Sequence, residues 1–323
     1  MKESASTVRR WEDLDTNLLV KIFLCFDVFQ LTLGIAHIYN SWCSACCDPL
    51  LWRTLDLSML RSNFIKIPLE PYVYMDECSD KTYTRLLNIS LSLSQGQIKT
   101  LIFHFNLYVE DEQFTYIAVR CPHLRRLIMP AWNRIKKDVI CKAIRTWRSL
   151  ESLTMPSIIV NPPYLIEEIA LNCKNFSELK VMGLFDVLFA STIAKFLPNL
   201  KILSLRCLMI LKDALLLILD DLPNLEVLNK SHCLVIEGSL LPSLMPEKII
   251  KKLDKIILGK TALLREFLTC TEHLCIMCQY TRSDEGFMSW YKYEERLWKM
   301  DEARPGHYRD FLRFVIIVIR SCC

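Results

Sequence analysis

Glycine is scarce in this chain: there are 7 glycines among 323 residues, and no two lie within nineteen residues of each other. This spacing excludes the Gly-x-Gly-x-x-Gly loop that binds dinucleotides and the two-glycine loop that binds nucleoside triphosphates. His-Glu-x-x-His and Gly-x-Ser-x-Gly are also missing, which removes two common hydrolase signatures. The six histidines are scattered, and their spacing indicates no catalytic pair. We therefore predict a protein without catalytic residues and without a cofactor.

Long apolar runs and a strong net charge are lacking as well. The longest aliphatic stretches, residues 214–219 and 315–319, are far shorter than the ~18 residues that span a bilayer. Residues 1–17 contain charges and no apolar run, so we expect no secretory signal peptide. The net charge is only +4, and no basic stripe is interleaved with aromatic residues, which argues against nucleic acid as a partner. We expect an intracellular protein of the nucleus, the cytoplasm or both, without membrane association.

Cysteine, in contrast, is abundant, with 15 residues. Because no signal peptide is expected, we predict that nearly all of these cysteines are reduced thiols. Cys275 and Cys278, with Cys270 and His273 nearby, match half of the ligand set of a zinc site. A second cysteine pair at a suitable spacing is absent from the sequence. We therefore predict no metal site.

The middle of the chain repeats one unit of strand, loop and helix. Each strand follows the pattern apolar-x-x-Leu-x-apolar, and the middle leucine recurs every 24–26 residues. These middle leucines are Leu127, Leu153, Leu179, Leu203 and Leu228, and Leu101 marks a looser copy before them. The copy at Leu228 is the weakest, because Lys230 occupies its last apolar position. Self-similarity at this period is typical of an α/β leucine-rich-repeat solenoid, a fold that binds partners on extended surfaces.

The segments between the strands repeat too. Four positions in each of five units are apolar or cysteine, at the spacing of one face of an α-helix. The twenty positions are Phe114, Ile117, Ala118, Cys121, Ile140, Ala143, Ile144, Trp147, Ile166, Ile169, Ala170, Cys173, Ala190, Ile193, Ala194, Leu197, Leu215, Ile218, Leu219 and Leu222. One unit cannot bury this face alone, so we predict that the units fold as one stack. The alternative is an ordinary α/β domain with leucine-rich strands.

Residues 10–57 lack this repeat and have the pattern of short helices instead. Asp15 or Thr16 can cap a first helix. One or two further short helices are predicted between Leu31 and Trp42. Proline cannot continue a helix, so Pro49 ends the helical run, and residues 51–57 then alternate like a strand.

This N-terminal pattern resembles an F-box, a small motif of three helices. The matching runs are Trp11-Glu12-Asp13-Leu14, Leu18-Leu19-Val20-Lys21-Ile22-Phe23, Ile38-Tyr39-Asn40-Ser41-Trp42 and Leu51-Trp52. The sequence departs from the motif at Asp15, where proline is usual, and at Tyr39, in a run that usually reads Val-Cys-Lys-x-Trp.

The repeats resemble the cysteine-containing class of leucine-rich repeats, through residues 121–127 and 173–176. Residues 8–303 together resemble the plant F-box/leucine-rich-repeat family, most closely at 130–135 and 284–295. Members of that family are substrate-recognition subunits of Skp–cullin–F-box ubiquitin ligases. The resemblance implies that the F-box binds a Skp-type adaptor, and through it a cullin, while the repeats hold a target protein. The alternative is a non-catalytic scaffold or interaction module that never joins a cullin, which the departures from the F-box pattern favour.

Two candidate sites follow. For the adaptor, we predict contact through the apolar face of the first helix and two supporting residues: Leu14, Leu18, Leu19, Ile22, Phe23, Ile38 and Trp42. For the substrate, alternation along the strands places a second set on the opposite side, which is the concave face of leucine-rich repeats. This concave strip comprises Arg126, Ile128, Thr154, Glu178, Lys180, Ile202, Ser204, Val227 and Asn229, with Ile102 and Ser152 beside them. The alternative substrate sites are the long loops and the arm at residues 290–293.

The chain is thereby divided into five regions. We predict an F-box at 8–57, a connecting segment with an irregular first repeat at 58–97, leucine-rich repeats at 98–245, a capping region at 246–303 and a loosely packed tail at 304–323. Within the capping region, residues 247–253 and 262–270 have helical patterns and are expected to close the core.

Overall fold

A computed structural model of the chain describes residues 11–58, 60–62, 73–75, 81–103, 107, 109–129, 135–155, 163–181, 184–205, 209–238, 248–250, 253–270, 275 and 278–279. The predicted tail at 304–323 and the segment 284–303 lie outside these residues. The described part is mixed α/β and is organised around one eight-stranded parallel sheet. With strands numbered in chain order, the sheet runs β1 (Thr54–Leu57), β4 (Thr100–Phe103), β5 (Arg126–Ile128), β6 (Ser152–Met155), β7 (Glu178–Val181), β9 (Ile202–Ser204), β11 (Val227–Asn229) and β14 (Glu266–Leu268).

The spatial order of these strands follows the chain, as a stack of repeats requires. The middle leucines of neighbouring units are direct register partners, from Leu101 and Leu127 through to Leu203 and Leu228. Each of these leucines is buried. The repeat that the sequence predicts is therefore confirmed as a ladder of in-register parallel strands.

A helix follows each of the first seven of these strands. The helices are α3 (Lys81–Ser94), α4 (Asp111–Arg120), α5 (Lys137–Thr146), α6 (Pro163–Asn172), α7 (Val187–Phe196), α8 (Lys212–Asp221) and α9 (Lys255–Thr261). Seventeen of the twenty predicted positions on this helical face are buried, and Ala170, Ala194 and Leu219, at one edge of the face, are half-buried. Large side chains fill the space between units; the ring centroids of Phe114 and Trp147 lie 5.5 Å apart in an edge-on contact. Burial of each large apolar side chain contributes roughly 1.5–3 kcal/mol. None of the helices in the described part is both long and apolar enough to cross a membrane.

The segments between strand and helix contain short strands that the repeat pattern did not predict. A second sheet has the order β13 (Lys248–Ile249), β12 (Leu234–Glu237), β10 (Met209–Leu211) and β8 (Leu184–Phe185). A separate pair joins β2 (Leu60–Ser62) to β3 (Val73–Met75). These strands have only two to four residues, too few for a period of two to stand out in the sequence.

The N-terminal module, residues 11–52, consists of short helical segments. They are a 3₁₀ turn at Trp11–Asp13, α1 (Thr16–Phe23), a π-helical turn at Gln30–Gly34 followed by a 3₁₀ turn at Ile35–His37, α2 (Asn40–Cys46) and a 3₁₀ turn at Pro49–Trp52. The carboxylate of Asp15 caps α1 by accepting from the backbone amides of Asn17, at 2.9 Å, and Leu18, at 3.3 Å. The expected cap is confirmed, and the residue that replaces the usual proline serves to start the helix.

The module shares its core with the repeats. Leu19 and Phe23 belong to one continuous apolar cluster that also contains the middle leucines of the strands. Trp52, Leu55 and Leu57 reproduce the strand pattern of the repeats and are all buried. Strand β1 therefore belongs to the long sheet, although it lies within residues 8–57, which the sequence assigns to the F-box. The remaining domain boundaries stay predictions.

The two helices predicted at 247–253 and 262–270 are wrong. The first segment contains β13, and the second contains a turn followed by β14, with α9 between them. Leu264 and Phe267 take the first two apolar positions of the strand pattern, and Phe267 is the register partner of Leu228. This copy was missed because the chain between β11 and β14 is longer than one repeat.

Candidate functional site

The apolar residues of α1 divide between two faces of the helix. Leu19 and Phe23 are buried in the core, whereas Leu18 is 47% and Ile22 38% exposed. Residues 18 and 22, like 19 and 23, are one helical turn apart, and the two pairs are offset by one residue around the helix axis. The predicted adaptor set is thus wrong for Leu19 and Phe23, which contact the protein interior.

The two supporting residues of the predicted adaptor site, Ile38 and Trp42, differ from each other in solvent exposure. Ile38 is 53% exposed and lines an open groove of 620 Å³ together with Glu12, Tyr39 and Asn40. Trp42 and Leu14 are half-buried. The Trp42 indole N–H donates to the carbonyl of Trp11 at 3.1 Å, and its ring meets that of Phe23 edge-on at 5.7 Å. Trp42 therefore fastens the first turn of the module to α2 and stabilises the module from within.

We name Leu18, Ile22 and Ile38 the N-terminal apolar surface. Each has a large aliphatic side chain that stays in contact with solvent in the isolated chain. Helix α1 is anchored by its buried residues Leu19 and Phe23, and the turn that carries Ile38 follows the buried Ile35. The backbone that carries these exposed side chains is therefore already ordered, and little backbone freedom would be lost if a partner bound there.

The concave strip is more buried than the sequence predicts. Arg126 is exposed, and Ile128, Glu178 and Ile202 are half-buried. The other five predicted contact residues are buried: Thr154, Lys180, Ser204, Val227 and Asn229. Of the nine predicted contact residues, only four are therefore accessible: Arg126, Ile128, Glu178 and Ile202.

An ion-pair network crosses three strands of this strip. Glu178 accepts from the Arg126 guanidinium through Oε2 at 2.8 Å and lies 2.9 Å from Lys180 Nζ through Oε1. Burial alone would raise the pKa of Glu178, but Lys180 and Arg126 more than offset it and hold the pKa below its usual value. Burial lowers the pKa of Lys180, against the opposing effect of Glu178.

Lys180 was predicted to meet the substrate, and this is wrong because its side chain is only 5% exposed. Its register partners on the two neighbouring strands, Thr154 and Ser204, have short side chains. These neighbours leave room for a long side chain to stay against the sheet, where Glu178 compensates its charge. Lys180 is thus an internal partner that fixes Glu178, and Glu178 in turn orients Arg126.

The cysteines near residue 275 form a cluster with a histidine from a distant part of the chain. Cys270, Cys275, Cys278 and His232 place their ligand atoms within 4.8 Å of one another. The sequence has no second cysteine pair, and in the structure Cys270 and His232, the latter from the turn after β11, lie beside Cys275 and Cys278 instead. His273, the histidine considered from sequence, lies outside the described residues.

A stack of in-register strand–helix units with a short helical module at its N-terminal end is the architecture of a repeat protein built for binding. No protein-family model matches the chain. It is 59% identical over 303 residues to the F-box/LRR-repeat protein At3g48880 of Arabidopsis thaliana, a match that covers 93% of this chain and 97% of that protein. It is also 25% identical over 170 residues to the F-box protein SKIP1 of the same plant, covering 53% of this chain and 54% of that protein. The chain belongs to the plant F-box/leucine-rich-repeat family.

Proposed function

We propose that this protein is the substrate-recognition subunit of a Skp–cullin–F-box ubiquitin ligase, acting in the nucleus, the cytoplasm or both. Family membership supports this function, and the structural observation that carries it is the exposure of the N-terminal apolar surface in a module packed on the first repeat. In this proposal the F-box, predicted at residues 8–57, includes the helical module at residues 11–52. It binds a Skp-type adaptor, which brings the cullin. The receptor is non-catalytic and contributes proximity and orientation for its target.

The adaptor interface is expected to depend on Leu18 and Ile22, with Ile38 adding to it. Interfaces concentrate their binding energy in a few apolar anchors that become fully desolvated. Replacing Leu18 and Ile22 together with Ala should weaken adaptor binding well over tenfold in isothermal titration calorimetry. Because both side chains are exposed in the free protein, the double variant should unfold at close to the wild-type temperature.

The control is the double variant Val119→Ala and Leu171→Ala, which removes two aliphatic side chains that are 66% and 68% exposed on helices of the repeats. It should bind the adaptor with wild-type affinity. If Leu18→Ala and Ile22→Ala leave adaptor affinity unchanged, the F-box assignment fails and the scaffold function takes its place. Point variants are preferable to removal of residues 1–57, because that truncation would also delete β1 from the long sheet.

We assign binding of the target protein to the accessible part of the concave strip. Arg126 is the exposed charge, held by Glu178 from the second unit further along the stack. Ile128 follows Arg126 on the same strand, Ile202 is the register partner of Glu178, and both are half-buried apolar residues. A charged side chain in a fixed orientation next to apolar area suits recognition of a peptide segment or domain edge that carries a carboxylate.

Arg126→Met should reduce recovery of the target at least severalfold in affinity purification with mass spectrometry, while adaptor recovery stays constant. This variant keeps the length of the side chain and removes its charge. The matched control is Arg125→Met, which alters an exposed arginine of the same unit that is 3.5 Å from Glu151. Target recovery that is insensitive to Arg126→Met, but lost when residues 284–303 are deleted, would move the substrate site to the C-terminal arm.

A further inference from the structure

Four metal-ligating side chains converge at the end of the long sheet. His232 lies in the turn between β11 and β12, Cys270 follows β14 directly, and Cys275 and Cys278 come shortly after it. Their spacing, Cys-x₄-Cys-x₂-Cys with a histidine from another segment, supplies three sulfurs and one ring nitrogen. This is the donor set of a structural zinc site with three cysteines and one histidine.

Three of the six distances within the cluster can be compared with the edges of a zinc tetrahedron, and all six are within 4.8 Å. Zn–S bonds of about 2.3 Å and Zn–N bonds of about 2.0 Å imply S–S edges of about 3.8 Å and S–N edges of about 3.5 Å. The sulfurs of Cys270 and Cys278 are 3.7 Å apart. Nδ1 of His232 is 3.2 Å from the sulfur of Cys278 and 3.4 Å from that of Cys275. Each measured edge is within a few tenths of an ångström of the ideal length.

Hydrogen bonds of the thiols, such as the one from Cys278 Sγ to the carbonyl of Cys270 at 3.3 Å, account for only part of this arrangement. Two sulfurs approach the same ring nitrogen of His232, which has a single lone pair or a single proton to share. Thiols are also weak donors and weak acceptors, so they gain little by converging on one point. A tetrahedral cation, in contrast, is bound by all four ligand atoms at once.

A buried lysine provides a second, independent indication of charge at this place. Lys230 is fully buried, and its ammonium group has no hydrogen-bond partner among the residues that the structure describes. Lys230 comes two residues before His232, and its backbone amide pairs with Leu268, two residues before Cys270. Three thiolates, one neutral imidazole and one divalent zinc ion have a net charge of −1, which one ammonium group would balance.

The backbone holds the two segments of the cluster together. The amide of Lys230 donates to the carbonyl of Leu268 at 2.9 Å, and that of His232 donates to Cys270 at 3.0 Å. His232 has a φ of 62°, in the left-handed region that residues other than glycine rarely adopt. Backbone strain of this kind is retained where the side chain has to point in one particular direction.

We propose that His232, Cys270, Cys275 and Cys278 bind one structural zinc ion and that Lys230 compensates the charge of the site. The soft sulfur ligands and the tetrahedral arrangement favour zinc over magnesium or calcium. The ion would join the turn after β11 to the chain that leaves β14. Strand β14 is the last strand of the long sheet and pairs only with β11 among the described strands. The site would therefore fasten the edge strand and close this end of the stack.

The full-length protein, purified without chelator from zinc-supplemented medium, should contain one zinc per chain by mass spectrometry of the metal. Cobalt substituted for zinc should show the strong visible bands of a tetrahedral thiolate site. A chelator should remove the metal, expose three additional thiols to a thiol reagent and lower the unfolding temperature. Because these readouts use the wild-type chain, they do not depend on whether a cysteine variant folds.

The double variant Cys275→Ser and Cys278→Ser should lose the zinc. The matched control is Cys25→Ser with Cys43→Ser, which changes two thiols outside the cluster and should keep it. A wild-type protein that binds neither zinc nor tetrahedral cobalt would overturn the proposal. So would zinc that persists in the double variant, or a disulfide within the cluster in protein kept under reducing conditions.

Lys230→Met tests the charge of the site. With zinc available, this variant should bind the ion about tenfold more weakly, as measured by competition with a chelating dye. With zinc removed, it should unfold at a higher temperature than the chelator-treated wild type, because a buried unpaired charge has gone. Unchanged zinc affinity would overturn the role assigned to Lys230.

Discussion

Replacing Ile169 with Asp is expected to destabilise the protein by several kcal/mol. Ile169 is fully buried on the inner face of α6, where helices α5 and α7 of the neighbouring units pack on either side. A carboxylate at this position would have to stay protonated or remain unpaired in an apolar core. Since each unit depends on its neighbours, the damage should spread along the stack. We expect an insoluble protein, or one whose thermal unfolding is broadened and shifted to a much lower temperature.

The control for this variant is Leu171→Asp, two residues further along the same helix. Leu171 is 68% exposed, so its replacement adds the same charge to solvent and should change stability by no more than about 0.5 kcal/mol. Circular dichroism melts of the two variants beside the wild type separate the two effects. A wild-type melting temperature for Ile169→Asp would show that the helical face of the unit had been assigned incorrectly.

The repeat could be predicted because each of its strands and helices has a pattern of apolar residues that spans only a few positions in the sequence. The strand pattern around Leu127 and the helical pattern around Ile169 each occupy a few residues, and five copies at a near-constant spacing reinforce one another. The way the units stack can then be predicted as well, because parallel strands of units of equal length pair in register. The same reasoning failed for β14, because α9 and β13 lengthen the chain before it and remove the expected spacing.

The candidate sites were harder to predict, because each depends on contacts between distant segments. Helical spacing places Leu18 and Leu19 close together on α1, but only the fold decides that the first faces solvent and the second the core. Alternation assigns Lys180 to the outer side of the sheet, yet its burial depends on Thr154 and Ser204 in the adjacent units. The sequence did contain one signal at the cysteine–histidine cluster: Lys230 breaks the repeat at a position that is buried.

Replacing Glu178 with Gln is expected to destabilise the protein by about 3 kcal/mol in urea unfolding at neutral pH. Gln keeps the size of the side chain but removes the charge that compensates Lys180, whose ammonium lies 2.9 Å from the carboxylate in a nearly solvent-free position. The cost is limited because Lys180, whose pKa burial already lowers, can lose its proton instead. The control is Glu151→Gln, which affects an exposed pair with Arg125 and should cost less than about 1 kcal/mol.

Two further measurements test whether the loss of stability in Glu178→Gln is caused by the missing ion pair with Lys180. Adding Lys180→Met to Glu178→Gln should recover most of the lost stability, because no buried charge then remains at this point of the strip. The difference between the wild type and Glu178→Gln should also depend on pH. Since the folded state holds the pKa of Glu178 below its ordinary value of 4.5, the stabilisation is fully present above that pH and is lost as the pH falls through the lowered value. A stability difference that stays constant down to about pH 3 would contradict the role of Glu178 as the charged centre of the network.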